Sequence, residues 1–374
     1  MPGITVDAAF SGGNIVVDAI DGDRISLRQD LRDTEGHWFY WCFRVTGAAG
    51  RTLEFTFPEG NVIGVRGPAV SLDAGATWSW LGSGGENPVS FGYRFPADSG
   101  EARFSFGMPY TESNLRAFLA RHEGNPCIEA GTLARSRKGR PVELLRLGRL
   151  DGGCRHRVLL AARHHCCEMM ANYSLEGIME AVLAGDEGGR WFRENAEFLV
   201  VPFADKDGVE DGDQGKNRLP RDHGRDYGGE SLYPETAALR KLAPRWSEGR
   251  LRFAMDMHCP WIRAEYNEHA YFVGVDDAGD SERLSRFSGL LEAGRRGPIP
   301  YSAAGNLPFG KAWNTGENYG GGATFHDWLG PLVAPGCVCS IEIPYASAGG
   351  AEVNAGSARA FGADLAGAIK AYLF

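Results

Sequence analysis

No run in this sequence approaches the roughly 18 apolar residues that a membrane span needs. The opening residues, MPGITVDAAFSGGNIVV, also lack the basic stretch followed by an apolar stretch that marks a secretory leader. These absences predict a cytoplasmic protein with no membrane partner. An excess of basic charge is missing too. Lys and Arg number 39 against 48 Asp and Glu, a formal charge of -9, and the isoelectric point is about 5.6. Nucleic acid is therefore not expected as the main partner, because phosphate contacts draw on clustered Lys and Arg. A disulfide framework is absent: the eight cysteines include the adjacent Cys166 and Cys167 and the alternating Cys337 and Cys339, spacings that suit reduced thiols in a chain with no export signal. No internal repeat of fixed period occurs. What is present is ordinary for a globular protein: 374 residues, 43% hydrophobic and 11% aromatic, enough for one large domain or two ordinary ones around a full core.

Against that background ARHHCCE, residues 162 to 168, stands out. His165 and Glu168 have the HxxE spacing that lets an imidazole and a carboxylate reach one metal ion. RVLLAA (157 to 162) reads as a short buried strand entering the motif, and MMANYSLEGIMEAVLAG (169 to 185) as a helix leaving it. Catalytic zinc commonly takes three protein ligands, two His and one Glu among the known sets, and leaves a fourth position for water or substrate. The third ligand is expected to be His258, in FAMDMHCPW, which ends a buried-strand pattern; open α/β sheets place their sites at such strand ends. Cys166 and Cys167 are read as small buried residues rather than ligands.

Residues 1–108 carry short aromatic or β-branched runs (WFYWCFRV, TLEFTF, VSFGYRF, ARFSFG) between Gly, Asp and Ser turns, the pattern of an antiparallel β-sandwich. MPYTESNLRAFLARH then enters a helix with Thr111 or Ser113 as cap. After the hairpin-like TLARSRKGRPVELLRLG, strand and helix signals alternate to the closing helix NAGSARAFGADLAGAIKAYLF. This predicts a second domain, 109–374, of α/β class with a mostly parallel or mixed sheet and helices on both faces. The stretch from 204 to 232 is so polar and Gly-rich that it reads as a surface or active-site loop, its arginines favouring the latter.

HxxE after a strand, VPFADKDGV, GKNR, DHGR, the strand end bearing Asp256 and His258, and a late strand bearing Glu342 follow one another in the order of zinc carboxypeptidases of the M14 type. The sandwich ending in FSFGMPYTESNL resembles the N-terminal domain of the cytosolic carboxypeptidase subfamily. The resemblance implies one zinc ion held by His165, Glu168 and His258. It implies Glu342 as the general base that takes a proton from the attacking water. A charged residue inside the apolar string CVCSIEIPY is costly to bury without a functional role, which points the same way. Arg218 matches the arginine that polarises the scissile carbonyl, Arg225 the one that clamps a terminal carboxylate, and Asp222 the carboxylate that orients the first zinc His. Tyr319 falls where the family has a mobile tyrosine, and His326 at the bottom of the specificity pocket, where it would suit a polar or acidic side chain.

The sequence departs from that pattern in two places. Gly224 stands where the family has an Asn whose amide helps hold the carboxylate. The interval from Arg218 to Asp222 is short, which leaves Arg221 near enough to share either arginine's role. The expected function is hydrolysis of the C-terminal residue, α- or γ-linked, from a peptide, a protein C-terminus or a small peptide-like substrate. Two other readings stay open: a zinc amidohydrolase acting on N-acyl amino acids, and a zinc-containing binding protein that has lost catalysis.

Overall fold

The computed structural model describes residues 3–82, 87–98, 100–333 and 335–374. Among these the chain opens with nine strands: β1 (Thr5–Asp7), β2 (Val16–Asp21), β3 (Arg24–Arg28), β4 (Cys42–Thr46), β5 (Thr52–Thr56), β6 (Ala69–Ser71), β7 (Ser79–Trp80), β8 (Ser90–Arg94) and β9 (Glu101–Ser105). They form two facing sheets, ordered β1-β4-β9-β6-β7 and β2-β3-β5-β8. Alternation along the strands explains the pairing: in β5, Leu53 and Phe55 point inward and are buried while Thr52, Glu54 and Thr56 face out. The aromatic runs meet between the sheets, Phe43 against Phe55 at 5.4 Å and Phe91 against Phe104 at 5.5 Å between ring centres. One pair departs from the antiparallel expectation: β3 runs parallel to β5.

Helix α1 (Glu112–Arg121) follows, with Thr111 at its start donating its backbone N–H to Asn114 Oδ1 at 2.9 Å. The main elements that follow, in chain order, are β10 (Ile128–Arg135), β11 (Pro141–Gly148), β12 (His156–Ala162), α2 (Met169–Leu183), α3 (Glu187–Asn195), β13 (Ala196–Val201), α4 (Lys206–Asp211), α5 (Pro234–Ser247), β14 (Leu251–His258), β15 (Tyr271–Val273), α6 (Ala278–Gly294), α7 (Phe325–Val333), β16 (Cys337–Glu342) and α8 (Ala355–Leu373). β10 and β11 pair as a hairpin. The sheet is mixed and seven-stranded, ordered β10-β11-β13-β12-β14-β16-β15, with β13, β12, β14 and β16 parallel to their neighbours in that run.

Helices cover both faces. Val158, Leu160, Phe253 and Met255 pack toward α2, α6 and α8; Leu159, Ala161, Leu199, Ala254 and Val338 pack with Leu239 and Ala243 of α5 and Phe325, Leu329 and Val333 of α7. A sheet buried on both faces reads as continuous apolar runs, and polar chemistry is left to the strand ends. No helix among the described residues is long and apolar enough to cross a membrane.

The polar stretch 204–232 is not an exposed loop. It contains α4 and buries Asp205, Lys206, Asp213, Gln214, His223 and Asp226. Pairing makes this burial tolerable. Lys206 Nζ lies 2.6 Å from Glu112 and 2.7 Å from Glu143. Asp226 accepts the backbone N–H groups of Leu232 and Tyr233 at 2.8 and 3.0 Å. Two more residues fasten the stretch to the sandwich. Tyr40 donates its N–H to Gln214 Oε1 at 2.7 Å and accepts Gln214 Nε2 at 2.9 Å, and Asp33 accepts the N–H groups of Gln214 and Gly215 at 3.0 and 2.9 Å.

Candidate active site

β12 ends at Ala162 and Arg163 adopts a left-handed backbone, φ 66°, turning the chain toward α2. Its buried guanidinium holds the turn, donating through Nε to Cys166 O at 2.7 Å and through NH1 to Tyr110 O and Asn172 Oδ1 at 2.8 Å each. The loop bearing Gly215 (φ +78°) presses on the same turn. A Cβ there would lie 2.4 Å from Cys166 N, so only glycine allows the approach.

The turn presents His165 and Glu168 at the C-terminal end of the sheet, and β14 brings His258 to the same point. Ligand atoms of these three residues lie within 4.8 Å of one another. Nδ1 of His165 is 2.9 Å from Glu168 Oε1 and Nδ1 of His258 is 2.8 Å from Glu168 Oε2. The far nitrogens are held by carboxylates, His165 Nε2 by Asp222 Oδ2 at 3.1 Å and His258 Nε2 by Asp256 Oδ2 at 2.8 Å. That is the arrangement by which outer carboxylates fix the rings of metal-ligating histidines. Burial works against a charged imidazole, but Asp222 and Glu168 outweigh it and push His165 up to about 9. Burial likewise opposes the Glu168 carboxylate, yet Lys216, His165 and His258 hold it well below the usual carboxylate range. The surroundings thus favour positive charge at the point where two nitrogens and one carboxylate converge, and that donor set fits a divalent ion of zinc type.

His164, Asp256 and His258 form a second cluster of the same dimensions. There His164 Nδ1 lies 2.7 Å from Asp256 Oδ1 and His164 Nε2 lies 2.6 Å from Tyr227 OH. Both of its ring nitrogens are thereby occupied, and the cluster serves to anchor Asp256 behind His258.

Parallel register sets His258 directly beside Glu342, the last residues of β14 and β16. Glu342 is 7% exposed and its Oε2 has no hydrogen-bond partner among the described residues. Burial first, and then the charge of Glu168, push its carboxyl up to about 7, into the range of a general base that works near neutrality. It borders a cavity of about 640 Å³ whose lining includes His165, His258, Arg225, Tyr319 and His326. Among the described residues no carboxylate lies within ion-pair distance of Arg225. Its guanidinium reaches only Gly224 O and Asn318 O, each at 3.4 Å, and stands 5.1 Å from the Tyr319 ring centre. Tyr319 OH donates to Asn314 Oδ1 at 2.7 Å. His326 Nε2 lies 3.5 Å from Asp280 Oδ2, and Asp280 is ion-paired with Arg283, so the cavity wall carries both signs of charge. At Gly224 an added Cβ would lie 3.1 Å from Asp222 Oδ1 and 3.6 Å from His165 Nε2, so a larger residue would press on the group that orients His165.

The structure brings eight of the nine expected residues together, with Glu168 and Asp222 as ligand and support and the other six on the cavity wall. Arg218 is elsewhere. Its NH2 lies 2.6 Å from Asp205, 3.0 Å from Asp213 and 3.7 Å from Asp33, and it lines a separate cavity of about 300 Å³ with Arg137, His223, Tyr233 and Glu235. Three carboxylates hold it there. Arg221 is tied to Asp226 at 2.7 Å. Sequence reasoning passes over Lys216, whose Nζ is 2.5 Å from Glu168 Oε1. It also passes over His164 and Tyr227. The doubled histidine in RHHCCE is the available signal for His164; a lysine in a polar, Gly-rich loop offers none.

No family model matches the chain. It is 27% identical over 290 residues to an uncharacterized protein of Zymomonas mobilis, covering 75% of this chain and 73% of that one. It is 24% identical over 207 residues to cytosolic carboxypeptidase 3 of Mus musculus, covering 52% of this chain but only 20% of the mouse protein. In solved structures it matches a metallo-carboxypeptidase from Burkholderia cenocepacia with a TM-score of 0.78 at 20% identity, over 99% of this chain and 98% of the other.

Proposed function

Because this chain has the metallo-carboxypeptidase fold and is related in sequence to the cytosolic carboxypeptidases, we propose that it is a zinc-dependent carboxypeptidase releasing the terminal residue from a peptide or peptide-like chain. The observation that carries this reading is the placement of Glu342: level with His258 across a parallel strand pair, buried, half unpaired, and facing the cavity that Arg225 also borders.

His165, Glu168 and His258 would hold the zinc ion. When bound, the ion supplies Lewis acidity, lowering the pKa of a water at its open position and polarising a carbonyl. The protein's own groups do the rest. Asp222 and Asp256 keep the two imidazoles in the tautomer and orientation that ligation needs. Glu342 takes a proton from the attacking water and hands it to the departing nitrogen, so the peptide C–N bond breaks as the C–O bond forms. Arg225, with no carboxylate at ion-pair distance among the described residues, holds the terminal carboxylate through paired hydrogen bonds, and Tyr319 stands over its guanidinium. His326, beside Asp280, borders the space for a polar terminal side chain. A cytoplasmic place of action accords with eight free cysteines.

Release of free amino acid from a peptide library with varied C-terminal residues tests this, run with zinc, with chelator and with Glu342→Gln. Chelator-sensitive release that depends on Glu342 is expected. Hydrolysis of N-acyl amino acids with no release from peptides would replace the proposal by an amidohydrolase, and a preference for terminal Phe or Leu over polar residues would remove the role given to His326.

A further inference from the structure

Family resemblance gives the cation opposite the reacting carbonyl to Arg218, and the fold does not bring Arg218 there. We propose that Lys216 takes this role, its ammonium being the cationic donor that meets the negative charge developing on the carbonyl oxygen. The inference rests on the carboxypeptidase reading and deepens it.

Two placements carry it. Arg218 is 12% exposed at its side chain and engaged by Asp205, Asp213 and Asp33. To reach the cleft it would withdraw its guanidinium from buried Asp205 and leave Asp213 to Arg32 alone, an unfavourable change. Its small cavity and the large one share no lining residue. Lys216, two residues earlier, meets the metal-site cluster directly. Nζ contacts Glu168 Oε1 at 2.5 Å and donates to Cys259 O at 3.2 Å, next in the chain to His258. An ammonium has three donors, so one N–H remains for an oxygen beside the cluster. Lys216 reaches Glu168 from outside the Arg225 cavity, with the Trp38 ring centre 5.9 Å from Nζ.

Fixed donors of this kind act in a desolvated site without reorganising during the reaction, and losing one costs about 10²–10³ in kcat. The sandwich contributes through Trp38, which packs at 4.9 Å against Trp261, a residue just past His258, and closes over the ammonium.

The test uses the zinc-loaded full chain, comparing wild type with Lys216→Met, Lys216→Arg and Arg218→Lys. Calorimetry reads the affinity for two probes: a peptide phosphinate, whose tetrahedral anion mimics the oxyanion, and a succinate bearing a polar side chain, a dicarboxylate without one. Lys216→Met should lose phosphinate affinity by about 100-fold and change succinate affinity less than about threefold, with kcat falling in parallel, KM nearly constant, and Lys216→Arg recovering part of the loss. Arg218→Lys should keep the ratio of the two affinities, whatever its melting temperature. Equal phosphinate binding by wild type and Lys216→Met would overturn the inference, as would a selective loss of it in Arg218→Lys. A wild-type protein that binds zinc but neither probe, and releases no amino acid, would instead overturn the carboxypeptidase reading and with it this role for Lys216. Chelator competition read alongside separates either result from simple loss of the metal.

Discussion

The two sheets of the molecule bury apolar surface in different ways. In the sandwich, strands such as β3 and β5 give one face to the core and the other to solvent. In the mixed sheet β12, β13 and β14 are buried almost throughout. A strand open on one face can carry polar groups anywhere along it. A strand covered on both faces has polar freedom only where it ends, and there the second sheet gathers His258, Glu342 and the turn bearing His165 and Glu168. Packing stability and chemistry are therefore separable in the sandwich core and are joined at the ends of the second sheet.

Substitutions can probe that contrast. Glu342→Gln should reduce turnover about 10²–10⁴-fold, measured as amino acid release by zinc-loaded protein. In chelated protein it should also raise stability. Glu342, held above the ordinary value of 4.5 at about 7, favours the folded state most when protonated. That contribution is complete below about pH 4.5 and lost as pH rises through about 7, so the variant should gain relative to wild type across that window, by up to about 3 kcal/mol at pH 8 in urea titrations. Phe104→Ala, at the centre of the aromatic contacts between the sandwich sheets, should cost about 3–5 kcal/mol by the same titration, with kcat per folded molecule unchanged. A kcat loss matching Glu342→Gln would erase the distinction between the two sheets. Asp222→Asn should weaken metal binding about 10–100-fold in chelator competition. The smallest effect concerns the thiols. Burial pushes Cys42 and Cys167 up to about 12, and Cys127 alone among the eight is half-buried rather than buried. A disulfide reagent at pH 8 should label one thiol of the native protein quickly and the rest only on unfolding.

Legibility in the sequence divides along physical lines. β12, the HxxE turn and α2 are contiguous, so hydrophobic pattern and spacing suffice to place His165 and Glu168. β14 reads as an apolar run ending at His258, while Glu342 shows as a charge inside the apolar string CVCSIEIPY and takes its role from the family resemblance. The parallel β3–β5 pair is invisible because strand direction leaves no trace in residue periodicity. The stretch 204–232 misleads because composition equates polarity with exposure, whereas Lys206, Asp213 and Gln214 are buried through partners that lie far off in sequence. The destination of Arg218 is hidden for the same reason: Asp33, Asp205 and Asp213 converge on it only in three dimensions.

The clasp between Tyr40 and Gln214 has a consequence for how the molecule can be divided. Gln214 lies two residues from Lys216, and its amide is completed by the backbone of the sandwich. A fragment beginning after the sandwich would keep every strand of the mixed sheet yet leave this loop with unanswered donors and acceptors. The first hundred residues are thus part of the catalytic half's own scaffold, and the chain should melt as one cooperative unit, with no portable enzyme to be cut from it.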